Sequence, residues 1–212
     1  MVQTVNEPGR QTPVVAETDV LVVGGGPAGQ AAAVAAARAG AGVTLLERYG
    51  YLGGLASGGM VLVLDDMCGE NEISVGGLAL EIIDRLQRIG ACVAPPLEDC
   101  FRNDAAVRDR WVRWGFEELY ARKKPKPIVY AAVFDPEGWK QVSQEMVLEA
   151  GVKLRCHSWF SRALVEDGAV RGVIVETKSG RQAIRARVVI DTTGDGDVFA
   201  ARGRRACTAP TS

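Results

Sequence analysis

The chain has 212 residues, 47% hydrophobic and 24% charged, with 25 glycines and a formal charge of −1. That balance suits one globular α/β domain, or one and a half, with chain enough to bury a core, and it excludes the basic face of a nucleic-acid binder. No stretch approaches the ~18 uninterrupted apolar residues of a membrane span, the opening MVQTVNEPGRQTPVVAE lacks the basic and apolar blocks of a secretory signal, and five cysteines without a C-x-x-C pair read as reduced thiols of a cytoplasmic protein.

Residues 1–17 are polar, carry Pro8, Gly9 and Pro13, and read as a flexible leader. A domain over 18–203 follows, and its first stretch organises the rest. Val20 to Val23 is a short apolar run fit for a buried parallel strand. Gly24, Gly26 and Gly29 come next at the spacing G-x-G-x-x-G. An alanine-rich helix from Gln30 to Ala39 is closed by Gly40 and Gly42, and a second apolar run, Val43 to Leu46, ends on Glu47. Gly24 lets the chain turn off the strand, Gly26 lets bare backbone approach a pyrophosphate, and Gly29 brings helix close to sheet. The helix start aims free N–H groups and a positive dipole end at the anion. Glu47 sits where an acid accepts hydrogen bonds from ribose hydroxyls, and its charge disfavours a 2′-phosphate. Strand, glycine turn, helix, strand and acid in that order specify a dinucleotide site.

Beyond Gly59 the apolar run Met60 to Leu64 leads into an acidic loop. Asp65, Asp66, Glu70 and Glu72 lack calcium-loop spacing and any histidine, so the loop reads as solvated rather than metal-binding. Val75 to Ile89 predicts an amphipathic helix with Leu78, Ile82, Ile83, Leu86 and Ile89 on one stripe. Pro95-Pro96, dense charge and KKPKP mark an inserted, partly helical cap subdomain at about 65–127, within which Trp111 and Trp114 share a helix face and pack the cap or, as the rarer alternative, line a substrate cavity. IVYAAVF from Ile128 predicts a strand, Glu137 to Ala150 a helix, and Val152 to Ser158 a strand of the main sheet. FSRALVE, AVRGVIVET and RQAIRARVVID, joined at Asp167-Gly168 and Ser179-Gly180, predict an antiparallel meander whose end, Ala186 to Asp191, returns to the buried sheet.

GGGPAG, LLERYGYLGGLASGG and the late DTTGDGD at Asp191 to Asp197 together resemble the FAD-dependent oxidoreductases of the glutathione-reductase-like superfamily, over about Thr18 to Ala201. The resemblance implies an α/β fold: a Rossmann-like FAD-binding domain with a parallel sheet, an antiparallel β-meander crossover and the partly helical insertion. It implies FAD as cofactor, with Gly24, Gly26, Pro27, Ala28 and Gly29 around the pyrophosphate, Glu47 on the adenosine ribose and Arg48 beside the adenine. Gly53 and Gly54 would let a loop pass close to pyrophosphate and flavin, and Phe160 and Ser161 would offer backbone groups to the adenine. Gly194 and Asp195 would lie near the ribityl chain, although by spacing alone Asp195 equally fits a helix cap with Asp191 and Asp197.

The implied reaction is hydride transfer between a small organic substrate and the flavin. No catalytic residue is assigned: His157, the one histidine, leaves a core strand on the adenine side and reads as structural, and Cys68 is the best-placed single thiol. The rivals are an NAD-binding dehydrogenase domain and a non-catalytic remnant. Residues 204–212 depart from the family pattern as an irregular tail, which reads as a truncated or frame-shifted product. An unfinished fold exposes apolar surface, which leaves a homo-oligomer open.

Overall fold

The computed structural model describes residues 3–5, 9–65, 67–68, 72–102, 104–117 and 126–202. Along the chain the elements are β1 (Val14–Val23), α1 (Pro27–Arg38), β2 (Val43–Leu46), β3 (Val63–Leu64), α2 (Leu78–Arg88), β4 (Cys92–Val93), α3 (Ala105–Trp111), β5 (Ala132–Phe134), α4 (Pro136–Glu149), β6 (Lys153–Arg155), β7 (Trp159–Glu166), β8 (Ala169–Thr177), β9 (Gly180–Asp191) and α5 (Asp197–Ala201). They fall into two compact units, one running up to Gly50 and resuming at Ala150, the other Tyr51–Glu149, which encloses the 65–127 stretch. The 204–212 tail lies outside the described residues.

The first unit is a six-stranded sheet in the order β6-β2-β1-β9-β8-β7. Strand β1 runs parallel to β2 on one side and to β9 on the other, and β6 runs parallel to β2. Leu21 and Val22 near its end are fully buried, each contributing about 1.5–3 kcal/mol by leaving water. The strand reaches back to Val14, well before the apolar run at Val20. Its first half pairs only with β9, and Val14 and Val15 stay exposed, so no hydrophobic pattern announces it.

The meander is present as expected, with β9 as one 12-residue strand serving two ladders. Its first half pairs with β8 and its second with β1. Only Cys156 to Ser158 separate β6 at one edge of the sheet from β7 at the other. The meander therefore folds over the parallel strands: Ala163, Val173, Val175 and Ile184 share a core with Leu21, Val23 and Leu46, and Arg155 donates to Gln182 at 2.7 Å. Val22, of opposite parity, belongs to the other face, where α1 packs through Gly29, Ala33 and Val34. Asp167 and Gly168, both at positive φ, make the first hairpin turn. The second is Lys178-Ser179, one residue earlier than the Ser179-Gly180 dipeptide, because Gly180 already pairs with Thr177.

The second unit holds a three-stranded antiparallel sheet, β3-β5-β4, with α2, α3 and α4. The run IVYAAVF yields a strand only at its end, β5. Ile128 to Ala131 are buried but irregular, a distinction apolarity alone does not make. Helix α2 buries Ile82, Ile83 and Leu86, whereas Ile89 sits past its end and is exposed. The tryptophans part company: α3, capped by Asp104, stops at Trp111, whose indole donates to Asp99 at 2.7 Å and packs with Val107 and Phe116. A 3-10 turn then carries Trp114 to the surface.

Candidate cofactor site

The four parallel strands of the first unit end side by side, at Val23, Leu46, Arg155 and Asp191. Ligands of open α/β sheets bind in this position. Gly24 follows β1 at φ +109, a left-handed conformation, and donates to the Leu46 carbonyl at 2.9 Å. A Cβ on Gly29 would stand 1.8 Å from the Gly24 carbonyl oxygen, so α1 touches the turn backbone to backbone. Gly26 is the N-cap of α1 and brings no side chain to its first-turn amides; Pro27 follows at its start, and Ala28 beside it is exposed. The amino end of α1 is thus left without a side-chain cap, as an anion site requires.

Glu47 ends β2 with 6% of its surface exposed. One carboxylate oxygen accepts from Gly25 N at 2.7 Å and the other from Tyr49 N at 2.8 Å. A carboxylate has about four acceptor sites, so capacity remains for two ribose hydroxyls. Arg48 is exposed and lies over the rings of Tyr49 and Trp159. Phe160 pairs with Val175 and turns its ring into the core. A β-bulge between Phe160 and Arg162 leaves Ser161 out of the ladder on an edge strand, with backbone groups the sheet does not use.

The late motif is tied to the first. Thr192 Oγ1 lies 2.9 Å from both the Val23 and the Gly24 carbonyls. Asp191 accepts from Thr193 N, Thr193 Oγ1 and Phe199 N, and Thr193 Oγ1 in turn accepts from Asp197 N. Asp191 and Thr193 therefore secure the start of α5. Asp195 stands exposed after Gly194, itself exposed at φ +89, and makes no hydrogen bond or ion pair among the described residues. Gly53 and Gly54 lie in the second unit, both at positive φ, where a Cβ on Gly53 would meet Ser57 Oγ at 2.4 Å.

Gly25, Gln30, Tyr49, Trp159 and Thr192 join the site through contacts that sequence pattern does not announce. Gln30 is 6% exposed and donates to the Gly25 carbonyl at 3.1 Å, a polar residue in an alanine helix that was a signal available to be read. His157 is exposed at φ +52 and donates its backbone N–H to Tyr49 O at 3.1 Å, which makes it the pivot of the β6–β7 link. Asp66, Glu70 and Cys207 lie outside the described residues. Among the described residues no cluster of three metal-ligating side chains occurs, and no helix is long and apolar enough to cross a membrane.

Burial pushes the Cys92 thiol up to about 11 and, with Cys68 and the acids Asp99 and Glu98 adding to it, the Cys100 thiol up to about 12. Cys156 is raised by burial and then by Glu47. The folded chain therefore keeps protons that the unfolded chain loses above the ordinary thiol value of 9.0. Stability is untouched below that value and falls as pH climbs from there until the folded thiols themselves titrate, at about 11 and about 12. Iodoacetamide at pH 8 is expected to leave Cys92 and Cys100 unmodified in the native protein and to label both in urea, read by peptide mass spectrometry. Fast native labelling of either at pH 8 would contradict the raised thiols.

Fold and site together define a dinucleotide-binding α/β protein. The chain belongs to the FAD dependent oxidoreductase family, whose model matches residues 19–208, so the dinucleotide is FAD. Two curated relatives from Methanopyrus kandleri are similar. Digeranylgeranylglycerophospholipid reductase 1 is 29% identical over 178 residues, covering 84% of this chain and 40% of the relative. Digeranylgeranylglycerophospholipid reductase 2 is 30% identical over 190 residues, covering 84% and 38%. The chain thus spans about two fifths of the length of these relatives. Among solved structures, THI4 of Thermovibrio ammonificans shares the fold with a TM-score of 0.54 and 20% identity, over 91% of this chain and 64% of that one.

Proposed function

We propose that residues 18–203 form the FAD-binding part of a flavin-dependent oxidoreductase that passes a hydride between a small organic substrate and the flavin. The observation that carries this reading is the meeting of three features at the strand ends: the uncapped start of α1, the buried acceptor Glu47, and the Thr192–Gly194 turn tied to Gly24. Bound FAD supplies the redox chemistry. The chain's own residues bind and orient it.

In this reading Gly24, Gly26, Pro27, Ala28 and Gly29 surround the pyrophosphate, where a side chain at Gly26 would intrude on the anion. Glu47 accepts from the ribose hydroxyls, and Arg48 lies beside the adenine. The bulge at Ser161, with Phe160, offers backbone donors and acceptors to the adenine edge. Gly53 and Gly54 supply side-chain-free backbone, while Gly194 and Asp195 meet the polyol chain. Asp195 fits that role because Asp191 and Thr193 already hold α5, which leaves its carboxylate for a ligand. No residue is assigned to proton transfer. The similarity to lipid reductases falls on the portion that binds FAD in this reading, so their substrate is not carried over.

The test is FAD titration of the purified chain with absorbance after desalting, beside Asp195→Ala. Wild type is expected to retain flavin bands. Asp195→Ala is expected to bind FAD about tenfold more weakly, the loss of one charge-assisted hydrogen bond, with its urea midpoint unchanged. A folded wild-type chain whose titration never saturates would overturn the reading.

A further inference from the structure

A cavity of about 520 Å³ opens in the first unit at the opposite end of the parallel strands, where β2 and β6 begin. From Asp19 at its edge to Val23 at the cofactor end is about 13 Å along β1 by the rise of a strand. Its charged lining is Glu17 and Asp19 of β1, Lys153 of β6, Arg171 of β8, and Arg185 and Arg187 of β9. The cavity thus gathers positive charge that the chain as a whole, at −1, does not have. Two of the cations are already matched. Arg185 donates to both oxygens of Glu166, at 2.8 and 2.7 Å. Arg187 donates to one oxygen of Asp19 at 3.2 Å, and the other accepts from Gly42 N at 3.0 Å. Arg171, Lys153 and Glu17 are different: their side chains make no hydrogen bond or ion pair among the described residues. Glu17 even stands opposite Arg185 in the β1–β9 ladder, yet that guanidinium is taken by Glu166.

We propose that this cavity binds a small, soluble, hydroxylated phosphate ester the size of a hexose phosphate, with Arg171 and Lys153 on the phosphate and Glu17 on the hydroxyls. The site is separate from the cofactor site and does not depend on the FAD reading. Three strands, β1, β6 and β8, hold one acid and two cations around a common space in which none closes on another. That separation is the room a ligand needs. A guanidinium presents parallel N–H donors that match two phosphate oxygens, and an ammonium adds a compact charge. An ionised carboxylate only accepts, so Glu17 repels a bare polyanion and welcomes hydroxyl donors. A ligand that satisfies all three therefore carries its anion and its hydroxyls at separate ends. The volume agrees, since small-molecule sites run from about 300 to 1,000 Å³.

The experiment is calorimetric titration of the 212-residue chain with glucose 6-phosphate, inorganic phosphate and glucose, each repeated in the presence of FAD. Glucose 6-phosphate is expected to bind about tenfold more tightly than phosphate, with no heat from glucose and no effect of FAD. Arg171→Gln and Lys153→Gln are each expected to weaken glucose 6-phosphate about tenfold or more. Their urea midpoints stay at the wild-type value, because neither side chain has a partner to lose. Glu17→Gln is expected to tighten phosphate about threefold and to narrow its gap to glucose 6-phosphate, a pattern that positive charge alone would not give. A folded wild type that binds glucose 6-phosphate no better than phosphate would overturn the proposal, as would an affinity that Arg171→Gln leaves unchanged. Competition by FAD would overturn it too, by moving the ligand to the cofactor site. Phosphatidylglycerol vesicles are the last arm: Arg171-dependent binding to them, with none of glucose 6-phosphate, would replace the soluble ligand by a lipid headgroup and refute the proposal.

Discussion

Gly29→Ala is expected to lower the unfolding free energy by about 3 kcal/mol and to abolish FAD retention. The added Cβ would stand 1.8 Å from the Gly24 carbonyl oxygen, 3.0 Å from its carbon and 2.8 Å from Thr192 Oγ1. No flexible side chain can give way, because the nearest atom is backbone. Gly24 is itself held, donating to Leu46 O and lying within hydrogen-bond reach of Thr192 Oγ1. The strain can be relieved only by lifting α1 off β1 and β9. Overpacking of this kind costs about 1–3 kcal/mol, and losing the Thr192 contacts adds about 1 kcal/mol. Against a typical total of about 5–15 kcal/mol that is a large loss, and the displaced helix start no longer presents its amides. Gly40→Ala is the control: φ is +91 there but no atom lies within 4 Å of the added Cβ. It is expected to cost about 1 kcal/mol of backbone strain and to leave FAD binding intact. Urea unfolding with FAD titration separates the two. Equal midpoints for both variants would mean that helix and turn are not in contact.

The β1–α1–β2 unit was legible because its packing leaves a local trace. The Gly24 backbone forbids a side chain at Gly29, the Thr192 backbone forbids one at Gly24, and a helix that lies on strands selects alanine. Glu47 was legible for the same reason, as an acid closing a short apolar run. What was not legible depends on residues far apart in sequence. Nothing in CHSWF shows that Trp159 meets Arg48, since that follows from the sheet folding over and from the turn at His157. In DTTGDGD the eye goes to glycine and aspartate, yet Thr192 makes the tie to Gly24 because β9 runs beside β1 in a register that brings Asp191 opposite Val23. The first half of IVYAAVF is not strand, because burial on all sides produces the same apolar run in irregular chain as in a strand.

Glu47→Gln is expected to weaken FAD binding about 30-fold and to lower stability by about 1–2 kcal/mol, although the side chain keeps its size. Two backbone donors converge on this carboxylate, Gly25 N on one oxygen and Tyr49 N on the other. An amide has one oxygen. Whichever way it is turned, its NH2 group meets one of the two N–H donors, and a buried donor left without an acceptor costs about 1–3 kcal/mol. If Gly25 is the loser, the glycine turn shifts and Gln30, which donates to the Gly25 carbonyl, shifts with it. If Tyr49 is the loser, the chain that positions its ring beside Arg48 is released. Either way, in the proposed site, the ribose loses an acceptor that carried charge, a change worth about 1.5–3 kcal/mol by itself. FAD titration and urea unfolding of the same samples test the two halves separately. Reduced stability with unchanged FAD affinity would make Glu47 a clamp between loops and nothing more, and no change in either would mean that the two backbone bonds are not made. The expected joint loss follows from a carboxylate that ties the glycine turn to the β2 loop before any ligand arrives, so that the acceptors meant for the ribose are already oriented when it does.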